Sequence, residues 1–255
     1  MHTTIGYHTL TLVGGALENV PGIPDQSVRV AGNDIYLGDM NQIVAYMASG
    51  TTLVDGQLSS PSLRRVALED LASVQQVVIG AVHNPFNLIT KLESPRSCER
   101  DEGLNFLVNG TAGDDVFCMV SLSDGPVLPV TGDIFTLGFT AAITPVVGSW
   151  ANGPVTFEQT LPVGRYQIVG CDLFDDAASF LKMFRLVPIG SPNRPGGATR
   201  TSRLTSNEPT LSQRMGRMGA WCEFDHLTPP TVEAIGGVAG GLEDFAGVFD
   251  LIKVG

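Results

Sequence analysis

Residues 163–174 read Val-Gly-Arg-Tyr-Gln-Ile-Val-Gly-Cys-Asp-Leu-Phe, and residues 178–188 read Ala-Ser-Phe-Leu-Lys-Met-Phe-Arg-Leu-Val-Pro. Both are short, mostly apolar runs with β-branched and aromatic residues, and each has the length of a strand. Asp175-Asp176 between them is turn chemistry, because short carboxylate side chains bond their own backbone. Strand, turn, strand is therefore the reading at this point, and the same pattern extends outward in both directions.

Similar runs occur at 104–108, 115–122, 133–142 and 154–160 before this stretch, and at 217–225, 230–235 and 245–254 after it. Nearer the start, 5–13 alternate in the β sense and close on Gly14-Gly15. Residues 28–37 alternate around Gly32-Asn33, a hairpin or bulge signal. Shorter apolar runs lie at 52–58, 65–71 and 75–82, punctuated by Pro61, Gly80 and Asn84-Pro85. Even spacing with Gly or Pro between runs is the pattern of a sandwich or barrel, not of βαβ units. One helix is predicted over 39–48: Asp39 offers an N-cap, Met40, Ile43, Val44 and Met47 follow helical spacing, and Gly50 is a stop.

Composition agrees with an all-β chain. The 30 glycines and 16 prolines make up about 18% of the 255 residues, against about 12% in average usage. Charged residues are only 16%, and lysine occurs at Lys91, Lys182 and Lys253 alone, so long amphipathic helices have little material. Residues 93–103 carry six charges and hardly any apolar material, which predicts a boundary there. Two consecutive antiparallel β-sandwiches follow as the expectation, over 1–100 and 104–255, the second carrying a long basic loop at about 189–214.

The search for chemistry gives little. His2, His8, His83 and His226 have no recognisable partner in sequence, and Cys222 and His226 lie in a strand context where they stand far apart for one metal ion. Ser59-Ser60-Pro61-Ser62-Leu63 lacks the glycines of a nucleophile elbow and reads as a turn. Gly236-Gly237 and Gly240-Gly241 lack the Lys-Ser/Thr ending of a phosphate loop and read as a loop between late strands. Asp114-Asp115 and Asp175-Asp176 lack the spacing of a calcium loop, and Asn109-Gly110-Thr111 reads as a turn. Cys98, Cys118, Cys171 and Cys222 show no CxxC spacing and are expected to be buried thiols. No catalytic, metal or cofactor site is predicted, and a β-sandwich hydrolase would need paired carboxylates that one sequence cannot place.

Charge is the one strong asymmetry. The formal charge is −11, yet between Lys182 and Arg217 seven cations face Glu208 alone, giving +6 there against −17 elsewhere. Arg194, Arg200, Arg203, Arg214 and Arg217 are the candidate subunit-interface residues, docking onto an acidic neighbouring copy. No aromatic residue is interleaved to stack bases, which disfavours a nucleic-acid role for this segment. No secretory signal and no run of about 18 apolar residues is present, so the expectation is a soluble chain made in the host cytoplasm.

On these runs the C-terminal part resembles viral jelly-roll capsid proteins, particularly the double-jelly-roll major capsid proteins of small bacterial and archaeal viruses. Carrying the resemblance are Asp115–Val120, Gly132–Leu137, Thr156–Tyr166 with its Leu161-Pro162-Val163-Gly164-Arg165-Tyr166 turn, Phe184–Pro188, Trp221–Phe224 and Pro229–Glu233. The resemblance implies a structural virion protein without enzymatic activity, whose copies self-assemble into an icosahedral shell and meet other virion proteins. Contact with the genome or an internal membrane stays open, and no small-molecule substrate is implied. The rival reading is a carbohydrate- or receptor-binding β-sandwich of a phage or cell-surface assembly, disfavoured because aromatics total only 7%.

Overall fold

The structure is a computed structural model that describes residues 2–25, 28–36, 38–50, 52–66, 71–72, 90–174, 181–200 and 212–255. It is all-β, with 54% strand and 2% helix. The chain falls into two compact units: an N-terminal unit, Thr4–Pro126, and a C-terminal unit, Val127–Gly255 together with Met1–Thr3. The expected division at 93–103 is not where the units part. That charged stretch holds the end of one strand, a turn and the start of the next, all inside the N-terminal unit.

The strands of the N-terminal unit are β1 (His2–Thr9), β2 (Glu18–Val20), β3 (Arg29–Ala31), β4 (Asp34–Tyr36), β5 (Gln42–Ser49), β6 (Asp55–Ser59), β7 (Leu71–Ala72), β8 (Thr90–Ser97), β9 (Gly103–Asn109) and β10 (Val116–Ser123). One sheet has the order β1-β10-β5-β8, and the other runs β3-β4-β9-β6-β7 with β2 also on β9. In the C-terminal unit the strands are β11 (Phe135–Ile143), β12 (Ala151–Gly153), β13 (Val155–Phe157), β14 (Arg165–Leu173), β15 (Leu181–Val187), β16 (Gly196–Ala198), β17 (Cys222–Asp225), β18 (Thr231–Gly236) and β19 (Glu243–Lys253). Its sheets are β13-β11-β19-β14-β17 and β12-β18-β15-β16.

These orders are the same order. Setting aside β2, β3 and β13, each unit has eight strands among the described residues, and in both one sheet joins the first, eighth, third and sixth while the other joins the second, seventh, fourth and fifth. Among the described residues, the strand pairings named here with their register are antiparallel, for example Leu137↔Phe249 and Phe139↔Gly247 between β11 and β19. No sequence period announces this duplication.

Period-two alternation explains most strands. In β9, Leu104, Phe106 and Val108 are buried while their neighbours are half exposed. In β11, Leu137, Phe139, Ala141 and Ile143 do the same, with Phe139 stacked on Phe249 of β19 at 4.2 Å. Each such buried aliphatic or aromatic side chain contributes roughly 1.5–3 kcal/mol. The Gly32-Asn33 signal is a two-residue hairpin between β3 and β4, closed by the Ala31↔Asp34 pair; Gly32 supplies φ +64° at the first central position.

The helix expected over 39–48 is not formed: Gln42–Ser49 is strand β5, paired to β10 and β8. Ile43, Tyr46 and Ala48 belong to the core of the N-terminal unit, and Val44, Ala45 and Met47 are buried as well. A strand covered on both faces is a continuous apolar run, which mimics helical spacing over eight residues. The helix that does form is α1 (Pro61–Val66), which follows β6 directly. Ser60 is its N-cap, accepting a hydrogen bond at 3.2 Å from the Leu63 N–H, and Pro61 takes the first helical position. Among the described residues, no helix is long and apolar enough to cross a membrane.

Candidate functional site

The basic segment lies in the C-terminal unit, and the structure divides its arginines into two classes. Arg200 and Arg214 turn inward. Arg200 begins from backbone: its N–H donates to the Leu173 carbonyl at 2.9 Å, in a bridge beside Phe174. Its Nη1 then reaches Asp172 Oδ2 at 2.5 Å. Arg214 grips Asp250 in a two-pronged fashion, Nε to Oδ2 at 2.6 Å and Nη2 to Oδ1 at 2.7 Å, and sends Nη1 to Asp172 Oδ2 at 3.0 Å.

Neutral groups complete the cluster. Gln213 Nε2 donates to Asp172 Oδ1 at 2.7 Å and to the Ala198 carbonyl at 2.9 Å, while its Oε1 accepts from the Ala198 N–H at 3.1 Å. Thr136 Oγ1 donates to Asp250 Oδ1 at 2.8 Å, and the Met215 N–H donates to Oδ2 at 2.7 Å. Asp172 and Asp250 are fully buried, with Arg200 and Arg214 at 5% and 8% exposure. Two cations meet two anions, and each carboxylate is held by several donors, which is what a buried charge pair requires.

The electrostatics follow from this geometry. Burial alone would raise the Asp250 carboxyl, but the hydrogen bond and charge of Arg214, with the Met215 N–H and Thr136, hold it below its ordinary value. Burial likewise opposes the Arg214 charge, and the two carboxylates reverse that and hold its proton more firmly. Local sequence makes room for the cluster at Gly170, where a Cβ would stand 2.5 Å from Asp250 Oδ2 and 2.9 Å from Arg214 Cα. Gly170 also sits at the bulge where the β14–β19 register shifts.

A third buried cation, Arg185, lies on β15. Arg185 donates from Nε to Glu233 Oε2 at 2.6 Å and lies 4.1 Å over the Trp150 ring. Burial, followed by the nearby Arg194 charge, pulls it down to about 10 despite Glu233, so it stays charged at neutral pH.

The remaining expected interface residues lie elsewhere. Arg217 is exposed. Arg194 is half-buried, donating Nη1 to the Ser191 carbonyl at 2.5 Å and to the Asn193 carbonyl at 3.2 Å. Arg203 lies outside the described residues, as do His83 and Asp175-Asp176. The structure therefore brings Arg200 and Arg214 together in the interior and leaves Arg217 as the outward cation of the described set.

Other sequence candidates resolve into structural parts. His8 and His226, without evident partners in sequence, lie 3.0 Å from Asp115 and Asp225 respectively. His226 belongs to the turn after β17, and the described residues contain no group of three His, Cys, Asp or Glu arranged to hold a metal ion. Ser59-Ser60-Pro61, read as a turn in the sequence, stands between a strand and a helix, yet Ser60 caps α1 and the Ser62 hydroxyl donates to Glu102 at 2.6 Å. Asp114 braces the 111–114 turn against Thr52, accepting its N–H at 2.9 Å and its hydroxyl at 2.8 Å. All four cysteines are buried and unpaired in disulfides. Burial pushes Cys98 up to about 11 and Cys222 up to about 12, leaving thiols of little nucleophilicity.

Asp172, Asp250, Gln213 and Thr136 went unread in the sequence. A signal existed: Asp172 is flanked by Cys171 and Leu173, and Asp250 by Phe249 and Leu251, so each is a lone acid inside an apolar run. Comparison with known proteins adds nothing to this geometry: no family model, curated protein or solved structure matches the chain.

Proposed function

We propose that the chain is a structural virion protein, a major capsid subunit whose copies self-assemble into an icosahedral shell. The supporting observation is the duplicated strand order. First-eighth-third-sixth against second-seventh-fourth-fifth is the order we read as a jelly roll, an eight-stranded double sheet shared by viral capsid, lectin and cupin domains. Two of them in tandem within 255 residues favour a building block over a single binding module. The warrant is fold analogy, since architecture hosts many functions.

In this reading the work is mechanical: rigid sandwiches present loops to neighbouring copies, and homo-oligomer contacts and contacts with other virion proteins carry the function. Of the four interface arginines among the described residues, Arg217 is the exposed member, while Arg200 and Arg214 stiffen the segment that displays it. The acidic balance of the rest of the chain supplies the complementary surface.

Sedimentation velocity and negative-stain microscopy of the purified protein, across concentration and salt, test the proposal. Capsomers, rings or shells that loosen as ionic strength rises are expected. A monomer at every concentration overturns it, and glycan binding by that monomer would point to the carbohydrate- or receptor-binding reading instead.

A further inference from the structure

His2 and Thr3 begin strand β1 yet group with the C-terminal unit. The His2 ring is fully buried and meets Trp221 edge to face, centroids 5.3 Å apart and planes at 78°. Trp221, also fully buried, stacks on Phe184 of β15 at 6.2 Å. Thr3 continues the seat: its hydroxyl donates to Asn193 Oδ1 at 3.3 Å and accepts the Arg194 N–H at 3.3 Å.

This seat is anomalous in one respect. Both ring nitrogens of His2, and Nε1 of Trp221, are buried without a hydrogen-bond partner. Buried polar atoms are nearly always satisfied, and an unsatisfied one costs about 1–3 kcal/mol, so three together mark a place where something other than stability is served. A neutral imidazole tolerates an aromatic wall; an imidazolium with no carboxylate beside it does not.

We infer that His2 and Thr3 form an acid-sensitive latch, seated against Trp221 while His2 is neutral and released from the C-terminal unit when His2 takes up a proton. The charges around the ring point the same way. Burial is the chief influence and opposes protonation, lowering the group from 6.5 to about 3. On the adjoining segment, the Arg194 guanidinium is directed at the Ser191 and Asn193 carbonyls and offers no countercharge. The sign follows: a group whose affinity for protons is weaker when seated favours the seated state above 6.5, and loses that preference as pH falls from 6.5 toward 3. Within that window each pH unit raises the released-to-seated ratio about tenfold. The inference stands on this seat alone and does not depend on the capsid reading.

The experiment is a titration from pH 7.5 to 4.5 of the full chain in a Trp150→Phe background, so that emission reports Trp221. Amide exchange at residues 2 and 3 and the His2 imidazole NMR resonance are followed in parallel. A reversible red shift with loss of amide protection below pH 6.5, taken against the intrinsic exchange rate at each pH, is expected, absent in His2→Phe, which keeps an aromatic ring and removes the proton site. Flat emission with unchanged amide protection over the range, or His2→Phe following the wild-type curve, overturns the latch. So does a His2 resonance that titrates near 6.5 while Trp221 emission stays unchanged, a readout needing no variant at His2.

Discussion

The two units share a strand order but fill equivalent sheets with opposite chemistry. In the N-terminal unit, the third and eighth strands, β5 and β10, are buried along nearly their whole length by apolar and small residues, with Met47 opposite Met119 in the pairing register. In the C-terminal unit the same two positions are β14 and β19, and there Asp172 and Asp250 receive Arg200 and Arg214. Topology therefore does not dictate polarity. What it fixes is which strands are neighbours; whether their faces are closed by methylenes or by charge pairs is decided residue by residue. The apolar solution gains from water release, whereas the ionic one nets little over a hydrophobic replacement and instead specifies which loop docks where.

This contrast can be broken deliberately. Asp250→Ala strands the Arg214 charge in the interior and should cost about 3–5 kcal/mol, read as loss of the C-terminal unit's transition in denaturant. An unchanged transition would mean that the cluster is not closed to water. Met119→Ala in the N-terminal unit should cost about 2–5 kcal/mol through transfer and cavity terms, with no change in its acid sensitivity.

Acid should separate the units next. Asp250 is held below its ordinary 3.8, so its contribution is present above that pH and is lost as pH falls through its lowered value. The C-terminal unit is accordingly expected to lose more stability in this range than its apolar counterpart, with circular dichroism and unit-specific fluorescence as the check. Ser60→Ala removes the α1 cap and should cost about 1 kcal/mol in the N-terminal unit. Smallest in stability is Arg217→Glu, expected within about 0.5 kcal/mol because the side chain is exposed. If the proposed role is right, its effect appears in assembly, as weaker association and a shallower salt dependence by sedimentation.

Most strands could be placed from sequence, because alternation is local: β9, β11, β14, β18 and β19 fall inside or within two residues of runs recognisable by period. The candidate site was legible only in part. Charge counting found the basic segment but could not tell inward from outward arginines, since Arg200 finds Asp172 from 28 positions away and Arg214 finds Asp250 from 36. The boundary was misplaced for a related reason. A cluster of charges marks a solvated turn, and a turn between β8 and β9 looks the same in sequence as a linker between domains.

By itself, then, the sequence determined the class of structure: all-β, turn-rich, poor in lysine, with a hairpin or bulge at Gly32-Asn33 and most strand positions. Those features rest on neighbours within a few residues, where side-chain period and backbone preference act. Only the tertiary structure decided that 42–49 is a strand, that one eight-strand order is used twice, and that Arg200 and Arg214 serve the interior. Each depends on what lies across a sheet or beneath a loop, and burial on both faces or a countercharge dozens of residues away leaves no local trace.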